Sequence, residues 1–306
     1  KVKVYRNNTE LWTALMRQEI DMADYISRED FQVIQKDPDF KAHAVNWTMY
    51  CALLYDLIDP VLVDLDVRRA IAYAISRQEI INNLSEFGGL ESTGPFHPES
   101  IGYNPDVQAL EYNPVKSKML LMHRGWVLNP SSGILEKEGR QFVINVLIDQ
   151  SSDLYKKIVL NMRQQLAQLG IRLNVVYYND ESELTPEFLK EHHVQAWLRF
   201  FQGLGVDPYE AIDSWYSLTT QFGNIWPYKN TKVDELLLLG KIAQEEASKK
   251  AIYQQAHQLI YADQPACFLF YPASLFAVNS NFKNTDAYFS RYQATYTIKN
   301  WYIKTK

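Results

Sequence analysis

The sequence predicts an α/β protein built on a mixed sheet, and three observations predict it. A βαβ unit is legible between Phe142 and Tyr177. It opens with an apolar strand to Ile148 and continues as a helical stripe of Leu154, Ile158, Met162, Leu166 and Leu169. Gly170 closes the helix, and Ile171, Leu173, Val175 and Tyr177 then alternate. Two abutting helices are punctuated between Leu65 and Leu84. The runs 47–57, 194–201 and 267–271 are apolar at a density that suits strands covered on both faces.

Taken in order, residues 10–16 read as a short amphipathic helix, 19–26 (EIDMADYI) alternate as a strand, and a second helix falls near 30–35. The buried strand WTMYCALLYDL follows. Asp64 or Asp66 can cap a helix whose Val67, Ala70, Ile71, Ala74 and Ile75 make one apolar stripe, with Arg68, Arg69 and Ala72 on other faces. Ser76 and Glu79 form a capping box for the next helix, with Ile75 and Ile80 as a hydrophobic staple. Residues 88–100 (GGLESTGPFHPES) have the backbone chemistry of a loop. Asn113-Pro114 starts a helix that Gly125 ends before Trp126.

The βαβ unit implies parallel strands joined by a right-handed crossover. The loop from Asp149 to Asp153 lies beyond the carboxyl end of its first strand, where open α/β sheets place ligands. Gln150 and Ser151 are therefore candidate ligand contacts, although Ser151 or Ser152 equally suits a helix cap. Between Trp197 and Tyr228, nine of 32 residues are aromatic against 13% overall. Such rings can be core, but several stand beside Gly203, Gly205, Pro208 and Pro227, which favours cleft walls. Phe201, Gly203, Trp215 and Trp226 are candidates there. Helices are expected over 233–239 and 247–261, and tyrosine-rich strands and turns from 275 to 306.

The totals exclude several function classes. A net charge of −5 and a pI near 5.7 leave no basic excess for phosphates, so no nucleic acid is expected on this segment. No run approaches the ~18 apolar residues of a membrane span, and the first residues do not read as a signal peptide. Cys51 and Cys267 suit two buried thiols or one oxidised pair. The sequence carries no HExxH, GxSxG or P-loop motif, and Gly203-Leu204-Gly205 lacks the third glycine of a dinucleotide fingerprint. Adjacent His192 and His193 point to different faces of any regular element. No catalysis, metal or cofactor is expected.

The stretch VRRAIAYAISRQEII (67–81) resembles the signature of the family 5 extracellular solute-binding proteins, the peptide- and nickel-binding receptors of bacterial ABC importers. Ser76 stands where that family usually has aspartate. YNPVKSKMLLMHRGW (112–126) resembles a second motif of the same family, and Tyr55-Asp56 replaces a usual Phe-Asn. The resemblance implies a periplasmic-binding-protein type II-like fold, with one complete lobe on a mixed sheet and part of the other. Residues 1–48 and 276–306 would be the remnant of the first lobe and 49–275 the carboxy-terminal solute-binding lobe. It further implies an extracytoplasmic protein, periplasmic or anchored at the cell surface. This protein would capture a peptide or other small solute by hinge closure and deliver it to a membrane permease. The alternative is the ligand-sensing domain of a transcriptional regulator; a hydrolase is disfavoured because no nucleophile with its base is identifiable.

Ligand determinants transfer less well. Peptide-binding members carry a motif resembling Gly-Trp-x-x-Asp-x-x-Asp-Pro, whose first aspartate pairs with the ligand ammonium. Aligned on Asp207-Pro208, that position is Leu204, so peptide capture in the usual way requires Asp207 or another group to take over. The arginine that dipeptide-binding relatives place after the strand equivalent to 142–148 is also missing from Asp149-Gln150-Ser151. A ligand less zwitterionic than a dipeptide is expected, such as a longer peptide or a neutral solute stacked on Trp215 or Trp226.

Overall fold

The structure, a computed structural model, describes residues 2–24, 26–84, 88–201, 208, 214–217, 228–285 and 300–303. Contacts divide the chain into two compact units. The smaller comprises Lys1–Thr48, Ile81–Leu90 and Tyr271–Lys306; the larger comprises Met49–Ile80 and Glu91–Phe270.

In the smaller unit, Asn7 accepts the Glu10 N–H at 2.9 Å and starts α1 (Asn8–Met16). The strand expected over 19–26 shrinks to β1 (Met22–Ala23), because the chain is still turning out of α1. Gln18 sits at φ 55° and the Glu19 N–H bonds back to Ala14. Ser27 caps α2 (Arg28–Ile34), and β2 (Phe40–Asn46) follows.

The larger unit begins with β3 (Tyr50–Tyr55), buried at every position. Asp64 caps α3 (Leu65–Ala74) by accepting the Asp66 N–H. The expected single stripe is corrected here, since Arg68 and Ala72 are buried as well. The Arg68 guanidinium reaches four backbone carbonyls, those of Leu62, Val63, Asp263 and Gln264, at 2.7–2.9 Å. Next comes α4 (Arg77–Asn83). Ser76 accepts the Glu79 N–H, but its own N–H goes to Gln165 Oε1 at 2.8 Å, so that return bond comes from another helix. The end of α4 and most of the next strand belong to the smaller unit; the loop expected over 88–100 opens with that strand, β4 (Gly88–Glu91).

Asn113 caps α5 (Pro114–His123), and the chain leaves it through Gly125 at φ 84°. A small antiparallel meander follows, of β5 (Val127–Leu128), β6 (Leu135–Lys137) and β7 (Arg140–Gln141). The βαβ unit is then β8 (Val143–Asp149), α6 (Asp153–Ala167) and β9 (Arg172–Tyr178), its strands parallel over seven residue pairs. After α7 (Pro186–Glu191), β10 (Ala196–Phe201) lies parallel to β8 and antiparallel to β3. Two helices, α8 (Thr231–Ile242) and α9 (Glu246–Asp263), lead into β11 (Ala266–Asn279).

β11 runs well past the expected 267–271. Its first residues complete the larger unit's mixed sheet, in the order β11-β3-β10-β8-β9. Its continuation pairs with β1 and β2 in the smaller unit, where Leu275 and Ala277 join Leu15, Ile34 and Phe40 in a core. β12 (Phe282–Lys283) pairs with β13 (Tyr302–Ile303); the rest of the tyrosine-rich tail lies outside the described residues.

Cys51 and Cys267 are free, buried thiols, and burial raises the pKa of both. They sit on neighbouring strands but diagonally, since Cys267 is opposite Leu53 and Cys51 opposite Phe270. Diagonal neighbours stand about 7–8 Å apart, beyond the ~6.8 Å that a disulfide tolerates between Cα atoms.

Candidate functional site

Three parallel strands of the larger unit, β8, β9 and β10, deliver their carboxyl ends to one edge. Asp149 is paired with Tyr178, and Leu147 with both Val176 and Trp197. Side chains two residues apart share a face of the sheet, so Asp149, Tyr178 and Arg199 form a row across the three strands. The Arg199 guanidinium bridges to Glu181 at 3.0 Å and lies over the Trp197 ring, 4.6 Å from its centroid. Glu181 belongs to a 3-10 turn, Glu181–Glu183, just past the end of β9. Between these groups Tyr178 meets Trp197 edge-on, and its hydroxyl pKa is raised by burial and by the charges of Asp149 and Glu181.

The loop behind the row is fixed by short bonds. Asp149 Oδ1 accepts both the N–H and the hydroxyl of Ser151, each at 2.7 Å, and the Gln150 N–H bonds to the Tyr178 carbonyl. The side chains of Gln150 and Ser151 are exposed. Ser152, not Ser151, caps α6, through the Tyr155 N–H. Tyr155 in turn accepts the Phe200 N–H at 3.1 Å, tying the first turn of α6 to the end of β10; burial pushes its pKa up to about 12.

The aromatic candidates lie deeper. Phe201 stacks on Tyr50 with centroids 4.9 Å apart, and Trp215 packs against Phe201 and Phe268 with Tyr228 at its edge. The buried Trp215 N–H donates to Tyr50 Oη at 2.9 Å, as an interior indole requires. Phe201 and Trp215 thus form an interior floor, with almost no surface open to solvent. Gly203, Leu204, Asp207 and Trp226 lie outside the described residues.

The charged row escaped the reading from sequence, although two signals mark it. Arg199 is the only charged residue in AWLRFF, and Asp149 ends the apolar run VINVLID. A groove of about 610 Å³ lies at the opposite, amino-terminal ends of β8 and β10, against Ile58, Val61 and Leu189. Two of its polar residues, Asp59 and Gln195, are bonded to one another, so the carboxyl edge has the stronger chemistry.

Comparison with known proteins decides the family. Residues 1–223 match the model of the bacterial extracellular solute-binding proteins, family 5 Middle. The chain belongs to that family. Among family 5 relatives, the oligopeptide-binding protein AppA of Bacillus subtilis is 27% identical over 247 residues, 78% of this chain and 44% of that protein. The structure of the same protein in complex with a nonapeptide superposes with a TM-score of 0.69 at 22% identity, covering 99% of this chain and 60% of that one. AppA from Clostridium difficile superposes with a TM-score of 0.76 at 19% identity over the same shares. The chain spans about half the length of the curated relatives it matches. Its fold is the mixed α/β fold of these binding proteins, present in part.

Proposed function

We propose that this chain is part of the substrate-binding component of a bacterial ABC importer, and that the intact protein captures a peptide or other small solute outside the cytoplasm. The observation that carries the reading is the family 5 match over residues 1–223. A relative named for oligopeptide binding supports a peptide among the candidate solutes. On this reading the larger unit corresponds to the carboxy-terminal lobe and the smaller unit carries the remnant of the first. The compact units divide the chain at 48/49, as in the expected lobes, but also at 270/271 rather than 275/276, and they assign Ile81–Leu90 to the smaller unit. Gln150 and Ser151 would touch the ligand directly, while Phe201 and Trp215 would hold the floor beneath it. Gly203, Leu204, Asp207 and Trp226 remain proposed contacts from the sequence.

Ligand held by two lobes shifts the population towards a closed form, and the permease would read that form; no bond is made or broken. Among the described residues no helix is long and apolar enough to cross a membrane. The test is calorimetry on the intact protein with panels of oligopeptides and oligosaccharides, paired with small-angle scattering. Saturable binding of a peptide with a fall in radius of gyration is expected. Failure of every panel member to bind would sink the proposal, and so would a helix-turn-helix encoded before Lys1, which would favour the regulator.

A further inference from the structure

β9 is the last strand of the larger unit's sheet, and among the described residues it has a neighbour, β8, on one side only. In a parallel ladder, alternate residues turn both of their backbone groups to the same side. The Arg172 N–H donates to the Phe142 carbonyl, and the Tyr178 carbonyl accepts the Gln150 N–H. The even-numbered residues therefore face β8, while Leu173, Val175 and Tyr177 turn outward. Arg163 closes the start of that outer edge, its Nε donating to the Leu173 carbonyl at 3.1 Å. The other end is open. No described residue bonds the N–H or the carbonyl of Val175 or Tyr177 there, and Tyr177 is 46% exposed. Native sheets protect such edges with proline, lysine or a bulge, and RLNVVYY carries none of them.

We infer that β9 pairs antiparallel with β9 of a second copy of this chain, about a two-fold axis at Val176. That register sets Val175 opposite the partner's Tyr177, and both turn N–H and carbonyl outward. Each such pair exchanges both backbone bonds, and the Arg163 contact at Leu173 stays in place. Valine against tyrosine is a favourable cross-strand pair, and the two Val176 side chains meet at the axis on the other face. The same register carries Arg172 to the partner's Asp180. Both side chains are exposed, and neither has an ion-pair partner among the described residues. The edge is thus basic at its start and, through Asp180, Glu181 and Glu183, acidic just past its end. Such a pattern complements itself when reversed, which selects a copy of this chain as the occupant. A two-fold pair uses up both edges, so assembly closes at the dimer. The inference does not depend on which ligand the protein binds.

Sedimentation equilibrium on the intact protein without ligand, from micromolar to millimolar concentration, should show the average mass rising from the monomer towards the dimer. Val175→Pro removes an outward N–H and spares every bond to β8, so it should weaken association by about tenfold or more. Arg172→Glu sets like charges against each other and should weaken association about fivefold at low salt, and less at high salt. Arg172→Glu combined with Asp180→Arg should restore it. If Val175→Pro lowers the melting temperature, the charge variants decide alone. A monomer at every concentration overturns the inference. So does a dimer that Arg172→Glu leaves at wild-type strength, which would use another surface, and so does mass growing past the dimer, which would show open-ended pairing.

Discussion

His257 should make the larger unit acid-sensitive in a defined pH window. The imidazole is fully buried on α9. Its Nδ1 accepts the Asn104 N–H at 2.9 Å, and its Nε2 lies 3.0 Å from the Thr93 carbonyl. A carbonyl can only accept, so the proton is on Nε2 and Nδ1 is bare. Acid must therefore place its proton on Nδ1, against the Asn104 N–H, in a pocket walled by Phe96 and Tyr103. Burial is the main cause that lowers the pKa from 6.5 to about 4.

Between those two values the unfolded chain binds the proton and the folded chain does not. Stability from this group is therefore complete above pH 6.5 and falls as pH drops towards 4, by ~3 kcal/mol in all. The assay is urea unfolding at half-unit steps from pH 4 to 7 for wild type and His257→Gln. Glutamine can accept from Asn104 and donate to Thr93 but does not titrate. The variant should lose about 1–3 kcal/mol at pH 7 from the ring contacts. Its stability should nevertheless approach that of wild type as pH falls, because carboxylate titration is common to both and cancels. Parallel stability curves across the window would refute the assigned tautomer and its linkage.

Three further substitutions probe the same architecture. Gly94→Ala would set a Cβ 2.6 Å from His257 Cδ2, on a ring that cannot swing away without breaking its Thr93 and Asn104 bonds. A loss of about 1–3 kcal/mol in denaturant unfolding is expected, and an unchanged midpoint would show that the loop can shift. Tyr50→Phe removes the acceptor of the Trp215 N–H and should cost about 1–3 kcal/mol, checked by urea unfolding followed through tryptophan fluorescence. Ser152→Ala deletes the α6 cap, with ~1 kcal/mol expected from thermal unfolding; a loss confined to Ser151→Ala would reverse the cap assignment.

What the sequence made legible was mostly local. The α3, α5 and α6 caps, the βαβ unit and the apolar strands β3 and β10 can be read because a cap or a stripe is encoded within a few neighbouring residues. β2 was missed because FKAHAVN carries no strong alternation, and most of its residues are only partly buried against β11. The length of β11 was missed for a related reason. Pro272 and Ser274 interrupt the run ACFLFYPASLFAVN as if a strand ended there, yet pairing with β3 on one side of the break and β2 on the other carries it through. The charged row was invisible in a different way. Asp149, Glu181 and Arg199 are separated by tens of residues, and only strand register brings them together.

The strength of the family resemblance and its weakness on ligand have one cause. Two positions in the motif 67–81 are arginines that the structure buries without a carboxylate partner. Arg68 spends its donors on the carbonyls around Leu62 and Gln264. Arg77 spends its donors on the carbonyls of Ala72, Leu110 and Phe268. Each guanidinium thus ties a helix or loop to the start of β11 or the segment leading into it, and burial lowers the pKa of Arg68, an effect that the nearby charges of Asp263 and Asp64 only partly offset. A guanidinium meets the fork of carbonyls that such a junction leaves unsatisfied, whereas a lysine would satisfy fewer of them. Motifs under that constraint report the scaffold. On the proposed reading the ligand would be met at the ends of β8, β9 and β10, where helix caps and buried arginines do not prescribe the residue. A match carried by such scaffold motifs is therefore compatible with different ligands.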